Sequence, residues 1–238
     1  MVTFMPGCTP PEPICRSLAL WAWLAADRMK LGHGQLVLDV GSGGWLFAEA
    51  LEAACSCRAV CVDLRPPSGE MPVLWVCADA ERLPFGSGTV DGVFASHVLH
   101  HLRRPLCFVR EAARVVRRGG HVGIRCASHR QIRLRLACRL FPEVAERACR
   151  AAPDVPEVVC MLGACGFADV RVEEVVEPAS PTLSAVLESV RSGAIPGPVP
   201  VRAEDILRAV EHLEARVATE GPDARECEEL TFITARKP

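Results

Sequence analysis

Residues 36–44 read Leu-Val-Leu-Asp-Val-Gly-Ser-Gly-Gly, an apolar run that stops at a glycine turn and carries one acid. No other stretch restricts the fold as much. Continuous apolar runs mark parallel strands buried on both faces, so Leu36 to Val40 is expected as a strand inside a sheet. Glycine directly after it lets the backbone take positive φ and approach a ligand closely. The segment Trp45 to Cys55, rich in Ala, Leu and Glu, is expected as a helix. Strand, glycine turn and helix N-terminus in this order make a nucleotide site at the carboxyl end of a sheet.

A second acid narrows the choice of nucleotide. Arg58 to Asp63 reads as the next strand, and a carboxylate ending the second strand of a βαβ unit is placed to bond ribose hydroxyls. The dinucleotide pattern G-x-G-x-x-G needs glycine at position 46, where this chain has Leu46. Asp39 argues the same way, because a carboxylate beside a pyrophosphate would be repelled by it. An acid there suits a ligand with an ammonium group, such as the methionine end of S-adenosylmethionine.

Three further segments follow in order: Cys77 to Phe85 (CADAERLPF), Val90 to Leu102 (VDGVFASHVLHHL) and Glu111 to Gly120 (EAARVVRRGG). With the glycine turn, they make the chain resemble the class I S-adenosylmethionine-dependent methyltransferases over residues 35–127. The branch it looks like is the ubiquinone and menaquinone type that methylates small molecules. The resemblance implies an α/β, Rossmann-like sheet of seven mostly parallel strands in the order 3-2-1-4-5-7-6, with the last strand antiparallel. It implies S-adenosyl-L-methionine as cofactor. Asp39, Gly41 and Ser42 would hold its methionine moiety, with Gly43 giving close backbone approach. Asp63 would take the ribose hydroxyls, Leu64 would lie against the adenine, and Asp79 would accept from its amino group beside Ala80 and Leu83. Ser96 and His97 would sit next to the sulfonium.

Two departures from the family pattern stand out. Trp45 occupies a position where many members carry a third glycine. Only 15 residues separate Asp63 from Asp79, so the helix after strand 2 is expected to shrink to a loop through Pro66-Pro67-Ser68-Gly69.

Strands are expected at 36–40, 58–63, 73–78, 90–95, 121–127, 169–176 and 229–236, with helices alternating among the first five, as in a parallel sheet. Residues 14–30 read as an amphipathic helix within an N-terminal flank, 1–34. The core is expected to span 35–176 and 228–238. Residues 177–227 form an insertion between strands 6 and 7, with helical stretches at 181–192 and 202–219 broken by Gly193 to Pro198. Strand 6 should run parallel to strand 1, so whatever follows it emerges at the carboxyl edge. That placement favours a substrate lid over a packing ornament. An outer helix is expected from Pro105 to Arg118. Eleven arginines and one acid, Glu111, lie between Arg103 and Arg139. Arg130, Arg133 and Arg139 either line the substrate mouth, where guanidinium suits carboxylate or phosphate, or form a solvated face.

Methyl transfer from a sulfonium needs alignment and, where the acceptor carries a proton, a base. His97 directly follows strand 4, and His100 and His101 are expected at the start of the next helix. Imidazole titrates near neutrality, which makes His97 and His101 the candidate catalytic residues, though for His101 structural bonding at the helix start is the favoured use.

Net charge is −2 in a chain of 238 residues that is 50% apolar, so bulk charge announces neither nucleic acid nor membrane. Leu18 to Ala26 is too short an apolar stretch to span a bilayer. The 13 cysteines are an odd number, and many fall inside expected strands and helices, as small buried hydrophobes do in a reducing cytoplasm. Cys55, Cys57 and Cys61 lack the C-x₂-C spacing of a structural zinc site, and no metal is expected. The expected partner is a small-molecule methyl acceptor, and the resemblance allows a homodimer. An RNA ribose methyltransferase would need a Lys-Asp-Lys-Glu tetrad, which a chain with only Lys30 and Lys237 does not build. The other alternative is a cofactor-binding protein of this fold without methyl transfer.

Overall fold

The structure is a computed structural model that describes residues 12–66, 72–179, 181–194 and 201–238, and the side chains from residue 16 onward. Its strands are β1 (Leu36–Val40), β2 (Arg58–Asp63), β3 (Leu74–Cys77), β4 (Val90–Ser96), β5 (Val116–Cys126), β6 (Ala168–Pro178) and β7 (Cys227–Arg236). They form one sheet in the order β3-β2-β1-β4-β5-β7-β6, as expected. The first five pair in parallel, and β7 runs antiparallel to β5. The carboxyl ends of β1 to β5 therefore share one edge of the sheet. The helices are α1 (Glu12–Arg28), α2 (Leu46–Cys55), α3 (Pro105–Val115), α4 (His129–Leu134), α5 (Leu136–Leu140), α6 (Pro142–Ala151), α7 (Val155–Ala164), α8 (Leu183–Arg191) and α9 (Ala203–Glu220).

The described residues group into two compact units. The first runs to Cys126 and adds Val155–Glu173 and Thr231–Pro238, and the second comprises Ala127–Asp154 and Glu174–Leu230.

In the first unit, strand alternation sorts the sheet into two faces. Leu38, Val40, Val60, Val62, Val93, Ala95, Val122 and Ile124 point one way and pack with Phe108, Val109 and Ala112 of α3 and Val158 and Leu162 of α7. The other face is aromatic. Phe47 of α2 stacks on Phe94 at 4.2 Å between centroids, Phe94 meets Phe232 at 6.3 Å, and Trp21 of α1 meets Phe232 edge-on at 5.9 Å. Glycine in β5 makes room on this face: a Cβ at Gly123 would lie 2.5 Å from the Met29 sulfur and 3.1 Å from the Phe232 ring. Arg28 closes the end of α1 with a 2.7 Å bond to Glu173.

Two boundaries differ from the expected ones by three residues or more. The outer helix stops at Val115, and β5 begins at Val116 rather than at 121. The Lys237 ammonium ends the helix by donating to the carbonyls of Ala113 (2.6 Å) and Val116 (2.7 Å), where a cation also meets the negative end of the helix dipole. The β4–β5 register then slips between Val90 and Gly92, and Gly119 turns at φ 78° within the slip. Between Asp63 and Leu74 there is no helix among the described residues, and Pro67, Ser68 and Gly69 of the expected loop lie outside them. Much of the expected 193–198 break lies outside them too.

The second unit is helical apart from its strand ends. Its α4 begins with a capping box, Ser128 accepting from the Gln131 N–H while the Gln131 side chain accepts from the Ser128 N–H. Helices α8 and α9 bury Leu183, Leu187, Val190, Ala209 and Leu213. The arginines after β5 are met by acids of the same unit. Arg130 bonds Glu174 (3.0 Å) and Glu229 (2.7 Å), Arg133 lies 3.6 Å from Glu146, and Arg139 shares Glu226 with Arg216. No helix among the described residues is long and apolar enough to cross a membrane.

Candidate active site

The residues that end β1, β2, β3 and β4 gather at the carboxyl edge of the first unit. Asp39 is paired across the ladders with Cys61 on one side and Phe94 on the other, so these three side chains share the aromatic face. Asp39 is 1% exposed, and its Oδ2 has no hydrogen-bond partner. Burial, with the nearby Asp63 carboxylate second, pushes its pKa up to about 7. A buried polar atom without a partner costs about 1–3 kcal/mol, more when charged. Such an atom at a sheet edge is an acceptor waiting for a donor, and a cation suits it best.

The turn after β1 is held from below. The Gly41 N–H donates to Val62 O at 2.7 Å. Gly41 has φ 71°, and a Cβ there would meet Val98 Cγ2 at 2.2 Å, so both conformation and packing require glycine. Gly43 has φ 59°, and a Cβ there would meet nothing within 4 Å, as at Gly44. These two glycines border open space, the cradle a ligand backbone contact needs. The Ser42 hydroxyl is buried beside the Cys61 thiol. Trp45, the departure from a third glycine, caps α2 without a side-chain bond and packs with Val73 and Trp75 against Ala48, Ala59 and Cys61.

Asp63 ends β2 and accepts from the Gly43 N–H (2.9 Å) and the Arg65 N–H (3.3 Å). A carboxylate offers about four acceptor positions, so two remain for hydroxyl groups. Leu64 beside it is 66% exposed, a bare apolar side chain. Asp79 follows β3, is exposed, and accepts from the Glu81 N–H at 2.8 Å. Ala80 and Leu83 are buried behind it. Their loop is fastened to α3. Glu111 accepts from the Leu83 N–H, and Arg114 donates to the carbonyls of Leu83 (2.8 Å) and Phe85 (2.7 Å). The Arg114 guanidinium holds the Glu111 carboxyl below the usual carboxylate range.

Ser96 ends β4, and its hydroxyl accepts from Arg125 Nη1 at 3.4 Å. His97 has φ 52°, a left-handed conformation that histidine adopts at some cost. Its N–H donates to Arg125 O at 2.9 Å, which ties the turn to β5. Residues in such strained conformations cluster at functional sites. His101 lies in a 3₁₀ turn, Leu99–His101, ahead of α3, rather than in the helix itself. It is exposed, with its ring 3.9 Å from that of His100. The edge thus brings together Asp39, Gly41, Ser42, Gly43 and Asp63 through direct bonds or ladder pairing, and Ser96 with His97 through Arg125. Sequence reasoning gave no place at this site to Val98, which packs against Gly41, or to Cys61, read there only as a buried strand cysteine, although its place two residues before Asp63 on the same strand face was the available signal.

Residues 38–124 match a family model described as a methyltransferase domain. The demethylmenaquinone methyltransferase of Corynebacterium urealyticum is 32% identical over 108 residues, 44% of this chain and 47% of that protein. The malonyl-[acyl-carrier protein] O-methyltransferase of Hahella chejuensis is 32% identical over 100 residues, 38% of this chain and 36% of that one. The chain spans less than half the length of these curated relatives. Among solved structures, phosphoethanolamine N-methyltransferase 2 of Haemonchus contortus superposes with a TM-score of 0.58 at 17% identity, covering 93% of this chain and 52% of that one. That likeness speaks for the fold.

Proposed function

We propose that this chain, which carries a methyltransferase domain of the class I S-adenosylmethionine-dependent type over residues 38–124, transfers a methyl group to a small-molecule acceptor. The observation that carries the reading is the buried Asp39 carboxyl, its Oδ2 without a partner, beside two glycines that border open space. Bound there, S-adenosyl-L-methionine supplies a methyl group activated on a sulfonium. Asp39, Gly41, Ser42 and Gly43 hold its amino-acid end, Asp63 its ribose, and Leu64, Asp79 and Ala80 its adenine, with Ser96 at the end of β4 facing the reactive centre.

The protein's own part is mainly alignment, which supplies on the order of 7–11 kcal/mol when two reactants are held at near-attack distance. His97 accepts a proton from the acceptor where it carries one, with His101 as the second candidate. The insertion 177–227 serves as a lid over the acceptor. Relatives named for a quinone and for an acyl-carrier-linked acid make quinol-like and carboxylate acceptors the first to try. Action in the cytoplasm and a homodimeric assembly belong to the same reading, on the strength of the family resemblance.

Calorimetry with S-adenosylhomocysteine tests the cofactor site, and conversion of S-adenosylmethionine in the presence of an acceptor panel tests the transfer. Binding without turnover on any acceptor would favour the cofactor-binding alternative. Absence of binding would overturn the site.

A further inference from the structure

Beneath the glycine turn lies a thiol that the roles above do not use. Cys61 is 0% exposed in the middle of β2, opposite Asp39 in the ladder and two residues before Asp63. Its Sγ donates to the carbonyl of Gly44 at 3.6 Å, within reach of a sulfur hydrogen bond. The Ser42 hydroxyl is its neighbour on the same side. Around it pack Ala48, Ala59, Trp45 and Trp75, so the thiol meets the turn from a close-fitting apolar floor.

Glycine turns gain ligand access at an entropic cost, because residues without side chains lose the most freedom on ordering. A Cβ at Gly43 or Gly44 would meet nothing within 4 Å, so packing does not fix them. Two bonds hold this half of the turn instead: Asp63 takes the Gly43 N–H, and Cys61 meets the Gly44 carbonyl. Asp63 is also the group assigned to the ribose, so the thiol is the fastening that carries no second duty. The unpartnered Oδ2 of Asp39, on the neighbouring strand, marks the same spot as ligand-facing.

We infer that Cys61 is a positioning residue, whose thiol bond to the Gly44 carbonyl fixes the turn and so sets affinity for the amino-acid end of the cofactor. The inference rests on the proposed cofactor reading. Burial keeps the group a neutral donor, with its pKa pushed up to about 12. The competing account makes Cys61 one more small buried hydrophobe, in which case Val, without a donor, would replace it freely.

The test compares Cys61→Val, which removes the donor, with Cys61→Ser, which restores one. Each full-length variant is titrated with S-adenosylhomocysteine and followed by thermal melting and by hydrogen exchange at the Gly43 and Gly44 amides. Cys61→Val is expected to bind about three- to tenfold more weakly, the range of one net hydrogen bond, with faster exchange at both amides. Cys61→Ser is expected within about twofold of the parent in affinity, even if its Tm falls. Parent-like affinity and exchange in Cys61→Val would overturn the inference while leaving the cofactor site intact. So would affinity losses that follow Tm across both variants. If the parent protein itself fails to bind S-adenosylhomocysteine, the cofactor reading falls, and this inference falls with it. Should Cys61→Val not fold, Cys61→Ala replaces it with the same expectations.

Discussion

Cofactor binding should release a proton, and Asp39 should be its source. The side chain is fully buried beside Asp63, and its pKa is pushed up to about 7. The unliganded protein therefore holds a proton there that a surface carboxyl would have lost. A ligand ammonium favours the ionised form, so binding expels the proton, and affinity must rise with pH up to the folded pKa. With a pKa of about 7, only about a tenth of the carboxyl is ionised at pH 6. From pH 5.5 to 7.0, affinity for S-adenosylhomocysteine should increase by about fifteenfold and then level off above the folded pKa. Calorimetry at pH 6 in two buffers of different ionisation enthalpy counts the protons, and close to one per ligand is expected. Constant affinity across that range, with no dependence of heat on buffer, would mean that Asp39 is already ionised or never meets the ammonium. The same shift has the opposite sign for folding. A raised carboxyl is better protonated in the folded than in the unfolded chain, so its contribution falls as pH climbs from about 4 to about 7 and is flat above. Asp39→Asn should then stabilise the unliganded protein at pH 8, by at most about 4 kcal/mol, while weakening binding by about tenfold or more.

Asp63→Ala should weaken S-adenosylhomocysteine binding by about tenfold or more, since charge-assisted bonds are worth about 1.5–3 kcal/mol and the Gly43 N–H loses its acceptor too. Asp63→Asn, by removing the like charge near Asp39, should move the midpoint of the affinity profile to lower pH. Asp79→Ala should have a smaller effect, because the adenine amino group is neutral. His97→Asn keeps a residue that tolerates left-handed backbone and removes the imidazole. If His97 is the base, turnover drops about 10²–10⁴-fold with cofactor affinity within a few-fold, and unchanged turnover excludes that role. Replacing residues 181–219 by a Gly/Ser linker should leave S-adenosylhomocysteine affinity within a few-fold, because every residue assigned to the cofactor belongs to the first unit. Turnover should be lost, and a folded, fully active deletion would refute the lid.

Much of this molecule was legible because its central strands announce themselves. The limits of β1 and β2 match the expected ones to the residue, since a mainly apolar run between polar or glycine borders leaves little choice of register. The acids at their ends were legible for the same reason. The start of β5 was not, because Val115-Val116-Arg117-Arg118 continues a helical pattern. Bonds from Lys237, over a hundred residues later, end the helix there. The short helices α4, α5 and α6 each bury too few residues to stand out, although Ser128 with Gln131 and Pro142 are start signals in plain sight. For the arginines of this stretch a substrate mouth stayed open beside a solvated face, because their partners Glu174, Glu226 and Glu229 lie far along the chain.

The assigned cofactor residues fall between Asp39 and Ser96, four strand ends in one continuous stretch, inside the segment matched by the family model. The second unit, by contrast, is assembled from two separate stretches that a family pattern over 38–124 does not touch. The proposed cofactor contacts thus lie together in the first unit, around Asp39 and its electrostatics. Those electrostatics are demanding. A carboxyl kept buried, with one oxygen unpartnered, lowers the stability of the empty protein near neutral pH, and several neutral substitutions would relieve that strain. Its presence is accounted for if the relief comes from the ligand, whose charge meets the carboxylate and recovers in binding what the fold gives up.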